Sequence, residues 1–373
     1  MVGAGVVGLA TGWRLARAGH EVSVLEQDEV GHARGSSHGA SRVFRLGYDD
    51  PDYVAMAAAS GPLWRELEQE SHDPGLLTVT GALVAGPGMP RVQRALAAAG
   101  VPCDELDEHE ARRLHPELAL SGRVLWEPTA GVLAADRCLA ALVRALTTAG
   151  GELRERTRVL AVADDDRGVT LTTSGGSVRA TVAVLCCGAW APELLRPLGV
   201  TFGMVATREQ IAYVTAAGRE GPGGSEVPVF IQWDEPSYYG LPTPTRGWYK
   251  LAEHGTGPVV DPTDERRSLA PDPVVADRLR AAAARFLPGF RSEPVAQETC
   301  LYDNTPDRDF IVDRHGRLVV GAGTSGHGFK FAPLLGEALA CLALGRRPPL
   351  PQHRFSLTRP ALARGGVALD RPR

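Results

Sequence analysis

Three glycines near the start of the chain restrict its fold more than any other feature. Gly3, Gly5 and Gly8 are spaced as Gly-x-Gly-x-x-Gly, and an apolar stretch that ends before Gly19 follows them. Between a strand and a helix, glycines at this spacing allow a tight turn and let the backbone approach a pyrophosphate at the amino end of the helix. The pattern therefore predicts a helix at residues 6–18 and a dinucleotide site before it.

An acidic residue at the end of the next predicted strand supports a dinucleotide site. Residues 21–26, EVSVLE, have the composition of a buried strand, and Glu26 closes it at the spacing expected after Gly8. A carboxylate there accepts hydrogen bonds from a ribose and disfavours a 2′-phosphate. By itself the motif does not separate FAD from NAD, and a glycine-rich turn without a ligand is the alternative interpretation.

The amino terminus is short for such a unit. Only Met1 and Val2 precede the first glycine, whereas the first strand of a sheet usually has about five residues. We therefore expect a start site placed several residues late, or a truncation.

The remaining chain alternates between two textures. Helix and strand patterns of an α/β unit occur at the start, middle and end, with sheet-rich segments between them. Helices are predicted at residues 6–18, 53–70 (interrupted at Gly61-Pro62), 134–149, 273–286 and 332–344. Strands are predicted at residues 158–163, 181–187, 310–313 and 318–323, and a hairpin at residues 168–180 with its turn at Gly175-Gly176.

This interleaving predicts an α/β (mixed α+β) fold with two domains, for which a chain of 373 residues is long enough. We expect a Rossmann-like nucleotide-binding domain built from discontinuous segments, residues 1–75, 134–205 and 300–373. An antiparallel-sheet substrate and catalytic domain is expected to be inserted into it, as residues 76–133 and 206–299.

Composition argues against several classes of protein. The net charge is −4 and no long block of like charges occurs, so nucleic acid is not an expected partner. The six cysteines form no CxxC pair and no zinc-type Cys/His spacing, which predicts free thiols, no metal site and a reduced, cytoplasmic setting. No stretch approaches the roughly 18 apolar residues that cross a bilayer, so no membrane contact is expected.

Four further motifs are longer and more specific than the glycine fingerprint. They are GSSHGASRVFR at residues 35–45, YGLP at 239–242 followed by Lys250 and His254, CLYDNTPD at 300–307, and GTSGHGFKF at 323–331. Together they resemble motifs of the monomeric sarcosine oxidase family, a group of D-amino-acid-oxidase-like, FAD-dependent enzymes that includes N-methyl amino acid oxidases. The likeness extends from the first glycines to the helix predicted at 332–344, which is nearly the whole chain.

The resemblance implies that the nucleotide is FAD and that its 8α-methyl group is attached to Cys300. A free cysteine is otherwise most often a small buried hydrophobe. His38 and Arg42 match family residues close to the flavin, where a cation would stabilise the anionic reduced ring; contacts that merely anchor the loop are the alternative. The cofactor-binding set is expected to comprise Gly3, Gly5, Gly8, Glu26, Ser36, His38, Arg42, Val159, Cys300, Gly326, His327, Gly328 and Lys330.

The resemblance also implies a substrate site. Arg45 and Lys330 match the residues that hold a substrate carboxylate, a task that suits a guanidinium fork and a point charge. Lys250 matches the lysine that activates O2, because a fixed positive charge stabilises superoxide as it forms. Surface salt bridges and a solvent-facing strand lysine are the alternatives. Three more residues match those lining the substrate cavity: Tyr239, His254 and Tyr302.

Departures from the family's pattern lie on the substrate side. Ala40 and Ser41 replace an Asp-Thr pair, and residues 49–51 (DDP) replace a Gly-Glu-Gly stretch at the substrate entrance. Residues 242–249 (PTPTRGWY) are bulkier and more polar than the family's small residues. These differences disfavour sarcosine itself and favour a larger or cyclic amino acid, such as one with a pipecolate-like ring.

The sequence therefore predicts a monomeric, FAD-dependent amine oxidase. It would oxidise the C–N bond of a small secondary or cyclic amino acid (sarcosine-like, N-methylated or pipecolate-like) to an imine, and reduce O2 to hydrogen peroxide. One alternative is a dehydrogenase of the same fold that uses another electron acceptor. Another is a flavin-binding subunit without turnover, which the full set of Arg45, Lys250, Cys300 and Lys330 disfavours.

Overall fold

A computed structural model describes residues 1–217, 226–244 and 246–363. Parts of the predicted domains, at residues 218–225, Thr245 and 364–373, lie outside the described residues. The described helices are α1 (Val6–Arg17), α2 (Pro51–Glu70), α3 (Met89–Ala98), α4 (Glu108–Leu114), α5 (Ala135–Thr148), α6 (Ala191–Leu195), α7 (Pro273–Phe286), α8 (Ala332–Ala343) and α9 (Pro360–Ala363).

The described strands follow the same chain order. They are β1 (Ser23–Leu25), β2 (Arg42–Phe44), β3 (Leu77–Val79), β4 (Ala82–Ala85), β5 (Asp104–Leu106), β6 (Val124–Glu127), β7 (Gly131–Leu133), β8 (Glu152–Arg154), β9 (Val159–Asp165), β10 (Gly168–Thr173), β11 (Gly176–Ala180), β12 (Ala183–Leu185), β13 (Val205–Val214), β14 (Val229–Gln232), β15 (Tyr238–Pro242), β16 (Tyr249–Glu253), β17 (Ala296–Asn304), β18 (Ile311–His315) and β19 (Leu318–Ala322).

The helices predicted from the sequence are present as α1, α2, α5, α7 and α8. The predicted interruption of α2 is wrong, because Pro62 lies inside a continuous helix. A proline in a helix interior removes one backbone hydrogen bond, and burial of Tyr53, Trp64 and Leu67 offsets that loss. The sequence pattern does not indicate β2, since three residues after a glycine-rich loop are too few to show a periodicity.

A largely parallel sheet carries the glycine-rich turn. β1 pairs with β8, β12 pairs with β19, and β18 adds to β19 in the antiparallel direction. Val2 joins the two groups through single parallel bridges to Leu25 and Leu185. Helix α1 packs against α5 and α8 and buries Leu9 and Trp13. Strands from the beginning, middle and end of the chain thus meet beside α1.

An eight-stranded sheet forms the second large layer, in the order β17-β13-β16-β15-β14-β4-β6-β5. Its pairs are antiparallel except for β14 and β4. One face packs on α7, where Phe230, Tyr249 and Phe286 belong to one apolar cluster. Because side chains alternate between faces, the register places Lys250 and Cys300 together on the opposite face.

Two smaller sheets complete the fold. β2, β7 and β3 form one, and β9, β10 and β11 form the other, which contains the hairpin predicted at residues 168–180. Among the described helices, none has the length and hydropathy that a membrane span requires. The domain boundaries themselves stay a prediction, and β17 crosses the one at residue 300.

Candidate active site

The glycine turn before α1 has no room for side chains. A Cβ on Gly3 would lie 2.4 Å from the carbonyl oxygen of Cys186, and Gly3 has a φ of 94°. A Cβ on Gly8 would lie 2.0 Å from the carbonyl oxygen of Gly3. Gly8 therefore serves close packing of the turn on the helix, and Gly3 and Gly5 line the cavity at the amino end of α1.

Glu26 lies at the end of β1, beside this turn, and is only 5% exposed. Its carboxylate accepts hydrogen bonds from the backbone N–H groups of Ala4 at 2.7 Å and Asp28 at 3.1 Å. Burial alone would raise the pKa of Glu26, but His32 and these N–H groups together hold it below its ordinary value. The carboxylate is therefore ionised and fixed where a ribose hydroxyl can donate to it.

One cavity runs from the glycine turn to the face of the large sheet that lies opposite α7. All the predicted site residues except Gly8 line it: Gly3, Gly5, Glu26, Ser36, His38, Arg42, Arg45, Val159, Tyr239, Lys250, His254, Cys300, Tyr302, Gly326, His327, Gly328 and Lys330. Residues that are distant in sequence thus meet around a single elongated space.

The first residue of β2, Arg42, is a fixed cation that lines this cavity. Arg42 donates hydrogen bonds to the carbonyl oxygens of Ser36 at 2.8 Å, His38 at 2.6 Å and Ser41 at 2.9 Å. Its guanidinium also lies over the ring of Phe329, 5.4 Å from the centroid. These contacts fix the orientation of Arg42. The same side chain therefore anchors the loop and presents a positive charge to the cavity.

His38 does not share the cationic role expected for it. Burial first, and then the charges of Arg42 and Lys250, lower the pKa of His38 to about 4. Its Nε2 lies 3.1 Å from the carbonyl oxygen of Thr299, and its buried Nδ1 has no hydrogen-bond partner among the described residues. At neutral pH, Arg42 and not His38 carries the positive charge.

Cys300 lies on β17, with its side chain directed to the cavity face of the sheet. Burial raises the pKa of the Cys300 thiol, while Arg42 and Lys250 act in the opposite direction. The six cysteines are all free thiols, so Cys300 has no disulfide partner.

Lys250 is 3% exposed and does not face solvent, which rules out a solvated strand lysine. Its ammonium donates a hydrogen bond to the carbonyl oxygen of Ser41 at 3.2 Å. Burial, followed by the charge of Arg42, lowers the pKa of Lys250 to about 7. Its protonation state is therefore sensitive to nearby charges around neutral pH.

Arg45 and Lys330 form a second pair of buried cations, with exposures of 7% and 5%. The Arg45 guanidinium lies 4.4 Å from the ring centroid of Tyr48 and 5.6 Å from that of Trp233. Lys330 donates to the phenol oxygen of Tyr48 at 2.7 Å. One Arg45 nitrogen (Nη1) is buried without a hydrogen-bond partner among the described residues. An anionic ligand would balance the charge of these two buried cations and accept a hydrogen bond from the unpartnered nitrogen of Arg45.

A buried carboxylate supports the backbone behind this pair. Glu127 is fully buried and accepts hydrogen bonds from the N–H groups of Leu46 at 2.6 Å and Gly47 at 3.0 Å. Burial lowers the pKa of Lys330 well below its ordinary value and Arg45 adds to that, while Glu127 opposes both. Glu127 thus fixes the chain directly after Arg45 and partly balances the two cations.

Three ring side chains close the cavity beside Cys300. The hydroxyl of Tyr302 lies 3.5 Å from Nδ1 of His254, whose ring centroid is 6.3 Å from that of Tyr239. Burial first, and then Arg308, lowers the pKa of His254 to about 3, so its imidazole is neutral at physiological pH. A Cβ on Gly326 would lie 2.2 Å from the Tyr302 ring, so only glycine fits there.

Several residues at the Arg45–Lys330 end of the cavity carry no signal in the sequence motifs. Tyr48, Glu127 and Trp233 reach this end through tertiary contacts, and of the three only Trp233 lines the cavity. For Trp233 one signal was available: Ile231 and Trp233 alternate along the strand region after Pro228, and both line the cavity.

The cavity suits a dinucleotide that extends to the large sheet, as FAD would. The features that fit such a ligand are the glycine turn, the ionised Glu26 and the unpartnered Nδ1 of His38. The fold and cavity define a nucleotide-dependent oxidoreductase. The chain belongs to the FAD dependent oxidoreductase family, which matches residues 1–342.

This chain is also similar to individual members of the family over nearly its full length. The chain is 31% identical to monomeric sarcosine oxidase from Bacillus sp. (strain NS-129), covering 98% of each chain. It is 30% identical to N-methyl-L-tryptophan oxidase from Yersinia pestis (strain Pestoides F), covering 96% of this chain and 98% of the relative. Its fold is similar to the open form of NikD, an unusual amino acid oxidase essential for nikkomycin biosynthesis, with a TM-score of 0.83, 28% identity and 95% coverage of both chains.

Proposed function

We propose that this FAD-dependent oxidoreductase is an oxidase of secondary or cyclic amino acids. The substrate loses a hydride and a proton to become an imine, and O2 takes up the two electrons and two protons to become hydrogen peroxide. The observation that carries the proposal is the presence of two separate groups of cations in one cavity, of which Arg45, Lys330 and Lys250 are buried and Arg42 is half-buried. Arg45 and Lys330 form the first group, and Lys250 with Arg42 forms the second, beside Cys300.

The cofactor would extend along the cavity from the glycine turn to the large sheet. Bound FAD supplies the two-electron oxidant that removes a hydride from the carbon next to the amine and returns the electrons to O2. Gly3, Gly5 and Glu26 would hold its nucleotide end, and Arg42 would face the ring system. We propose that Cys300 would hold the 8α-methyl group through a thioether, because its side chain lies on the cavity face near two cations that favour its thiolate. The thiol hydrogen and one methyl hydrogen would be lost, and O2 would take up the two electrons and two protons as hydrogen peroxide.

The substrate carboxylate would bind between Arg45 and Lys330. A bidentate contact would satisfy the Arg45 nitrogen that lacks a partner, and removal of water from this buried pair strengthens the attraction. This orientation leaves the amine near the neutral imidazole of His254 and the hydroxyls of Tyr239 and Tyr302. A neutral imidazole does not repel a cationic amine, and it leaves the amine free to lose its proton before hydride transfer.

Lys250 would serve the oxygen half-reaction. A fixed ammonium stabilises the negative charge that develops when O2 accepts an electron. Lys250 lies on the same sheet face as Cys300, which supports a position beside the ring system. Its hydrogen bond to the backbone of Ser41 fixes its direction before O2 arrives.

A substrate larger than sarcosine suits the walls of the cavity. Ile231, Trp233 and Leu241 line it with apolar surface, and Trp233 lies beside Arg45. Named relatives act on substrates as different as sarcosine and N-methyl-L-tryptophan, so a bulky N-methyl or a cyclic amino acid lies within this range. We further propose a cytoplasmic monomer with the two-domain division given above.

Peroxide release tests the proposal directly. Purified protein is incubated with sarcosine, bulky N-methyl amino acids, proline and pipecolate, and hydrogen peroxide is measured with a coupled peroxidase. At least one secondary amino acid should release peroxide and consume an equal amount of O2. Flavin reduction by a substrate without reoxidation by O2 would instead identify a dehydrogenase, and no reduction by any of them would contradict the proposed substrate class.

Replacement of Lys250 separates the two half-reactions. Lys250→Met should slow reoxidation by O2 at least about 100-fold while flavin reduction by substrate changes little. Stopped-flow absorbance under anaerobic and aerobic conditions measures each step. Equal losses in both steps would contradict the role assigned to Lys250.

A further inference from the structure

Lys250 has a neighbour on the large sheet that leads to an acidic residue. In the β13–β16 register Tyr213 lies directly opposite Lys250, so the two side chains are adjacent on the cavity face. The Tyr213 hydroxyl donates a hydrogen bond to Glu298 at 2.9 Å. Glu298 lies on β17, two residues before Cys300 and therefore on the same face. The chain of contacts runs from Lys250 along Tyr213 to the carboxylate of Glu298.

The same carboxylate approaches Arg42. A Cβ built on Gly39 would lie 3.2 Å from Glu298 Oε2 and 3.5 Å from an Arg42 nitrogen, so both groups border the same small space. Gly39 has a φ of 103° and leaves that space open. Glu298 is thus a partly buried carboxylate that borders the same space as Arg42, although the two do not form a direct salt bridge.

The charges that face Lys250 come from three elements, β2, β17 and α5. The largest effect on Lys250 is burial, Arg42 opposes its protonation, and Glu298 and Asp136 favour it. Cys300 would favour it only as a thiolate and not as the proposed thioether. His38, in the loop before β2, is neutral. Asp136 accepts a hydrogen bond from the N–H of Gly39 at 2.9 Å, but it is exposed, and solvent screens exposed charges strongly.

Aromatic packing surrounds Tyr213, the hydrogen-bond donor to Glu298. Trp248 packs on Tyr213 with ring centroids 5.7 Å apart, and the guanidinium of Arg246 lies 5.2 Å from the Trp248 centroid. The Tyr213–Glu298 hydrogen bond is therefore held within a packed cluster, where a charge acts over a longer distance than in water.

We infer that Glu298, held in place by Tyr213, is a positioning residue for the oxygen half-reaction and keeps the ammonium of Lys250 charged while O2 is reduced. This inference rests on the proposed oxidase function. Substrate oxidation does not require the ammonium, so the effect of Glu298 is confined to reoxidation and to the reduction potential of the flavin.

Glu298→Gln tests the inference with minimal change of shape, because the amide oxygen can still accept from Tyr213. Without the negative charge, Lys250 loses its proton at lower pH. The rate of reoxidation at pH 8.5 relative to that at pH 6 should fall roughly fivefold compared with wild type. Flavin reduction by substrate should keep its wild-type pH dependence, and the midpoint potential of the flavin, measured with reference dyes, should rise.

A second variant and a matched control protect the test against loss of folding. Tyr213→Phe keeps the ring but releases the carboxylate, and should change the reoxidation profile in the same direction by a smaller factor. Glu253→Gln removes a buried carboxylate from β16 that pairs with Arg278 on the other face. It should leave both the reoxidation profile and the potential as in wild type.

The failure of this inference is distinguishable from failure of the proposed function. If Lys250→Met slows reoxidation but Glu298→Gln has the wild-type pH profile and potential, the inference is wrong and the oxidase function stands. If wild-type protein does not react with O2 at any pH, both are wrong.

Discussion

Tyr48 connects Arg45 and Lys330, the two buried cations at one end of the cavity. Its phenol oxygen accepts a hydrogen bond from Lys330 at 2.7 Å, and its ring lies under the guanidinium of Arg45 at 4.4 Å. The ring also stacks on Tyr53, with centroids 5.2 Å apart. Two like charges therefore share one neutral side chain that supplies an acceptor to the first and an aromatic face to the second.

The hydroxyl of Tyr48 should matter for substrate binding. In Tyr48→Phe the ring stays under Arg45 while Lys330 loses an acceptor, so KM for the substrate should rise about tenfold with a smaller change in kcat. Steady-state oxygen consumption measures both constants. Tyr53→Phe is the control, because the Tyr53 hydroxyl donates to Asp309 and the residue does not line the cavity. An unchanged KM in Tyr48→Phe would show that Arg45 alone orients the carboxylate.

Covalent attachment of the flavin depends on Cys300. Acid denaturation of wild-type protein should give a yellow pellet, and Cys300→Ser should give a colourless pellet with a yellow supernatant, since serine cannot form the thioether. Absorbance of both fractions near the flavin maximum quantifies the result. Cys341→Ser, a free cysteine on α8 that does not line the cavity, should behave as wild type. A colourless wild-type pellet would remove the proposed linkage.

Because Gly8 lies close to Gly3, a side chain at position 8 should reduce the amount of flavin that the protein binds. In Gly8→Ala the new methyl group would meet a carbonyl oxygen at 2.0 Å, so the turn must shift and binding of FAD should weaken at least about tenfold. The ratio of flavin to protein absorbance and the melting temperature report the change. Gly175→Ala, in the open hairpin turn where no atom lies within 4 Å of the new methyl group, should retain both wild-type values.

The neutral state of His254 should appear in the pH dependence of stability. The pKa of His254 is about 3 in the folded protein, against an ordinary value of 6.5. Between these values the unfolded chain binds a proton that the folded protein does not, so the stability contribution is complete above pH 6.5 and is lost as the pH falls. The slope for one such group is at most about 1.4 kcal/mol per pH unit.

His254→Gln should therefore reduce the loss of melting temperature between pH 7 and pH 5 relative to wild type. Differential scanning calorimetry at several pH values measures this difference. His20→Gln, which removes an exposed histidine at the end of α1, should keep the wild-type slope. An identical slope in His254→Gln would mean that the imidazole is protonated in the folded protein.

Much of the architecture could be predicted because its signals are local. The apolar periodicity of residues 273–286 reproduces α7, and the Gly175-Gly176 turn reproduces the β10–β11 hairpin. The predicted break at Pro62 is wrong because a local rule is overridden by burial of Trp64 and Leu67, which the sequence near the proline does not reveal. The motif residues were assigned through their likeness to a family, and their meeting in one cavity agrees with that assignment.

The sequence by itself determined the dinucleotide turn, because the residues that form it are close together in the chain. Gly8 leaves room for the backbone of the turn, and Glu26 supplies a carboxylate at the end of the next strand. Only the tertiary structure decided which side chains are buried together: Tyr48 against Lys330, Glu127 near Arg45 and Lys330, and Glu298 beside Tyr213, which lies opposite Lys250. These pairs are far apart along the chain, so no local pattern relates them. Their charge states follow from burial and neighbouring charges, which exist only once separate strands and loops have packed around one cavity.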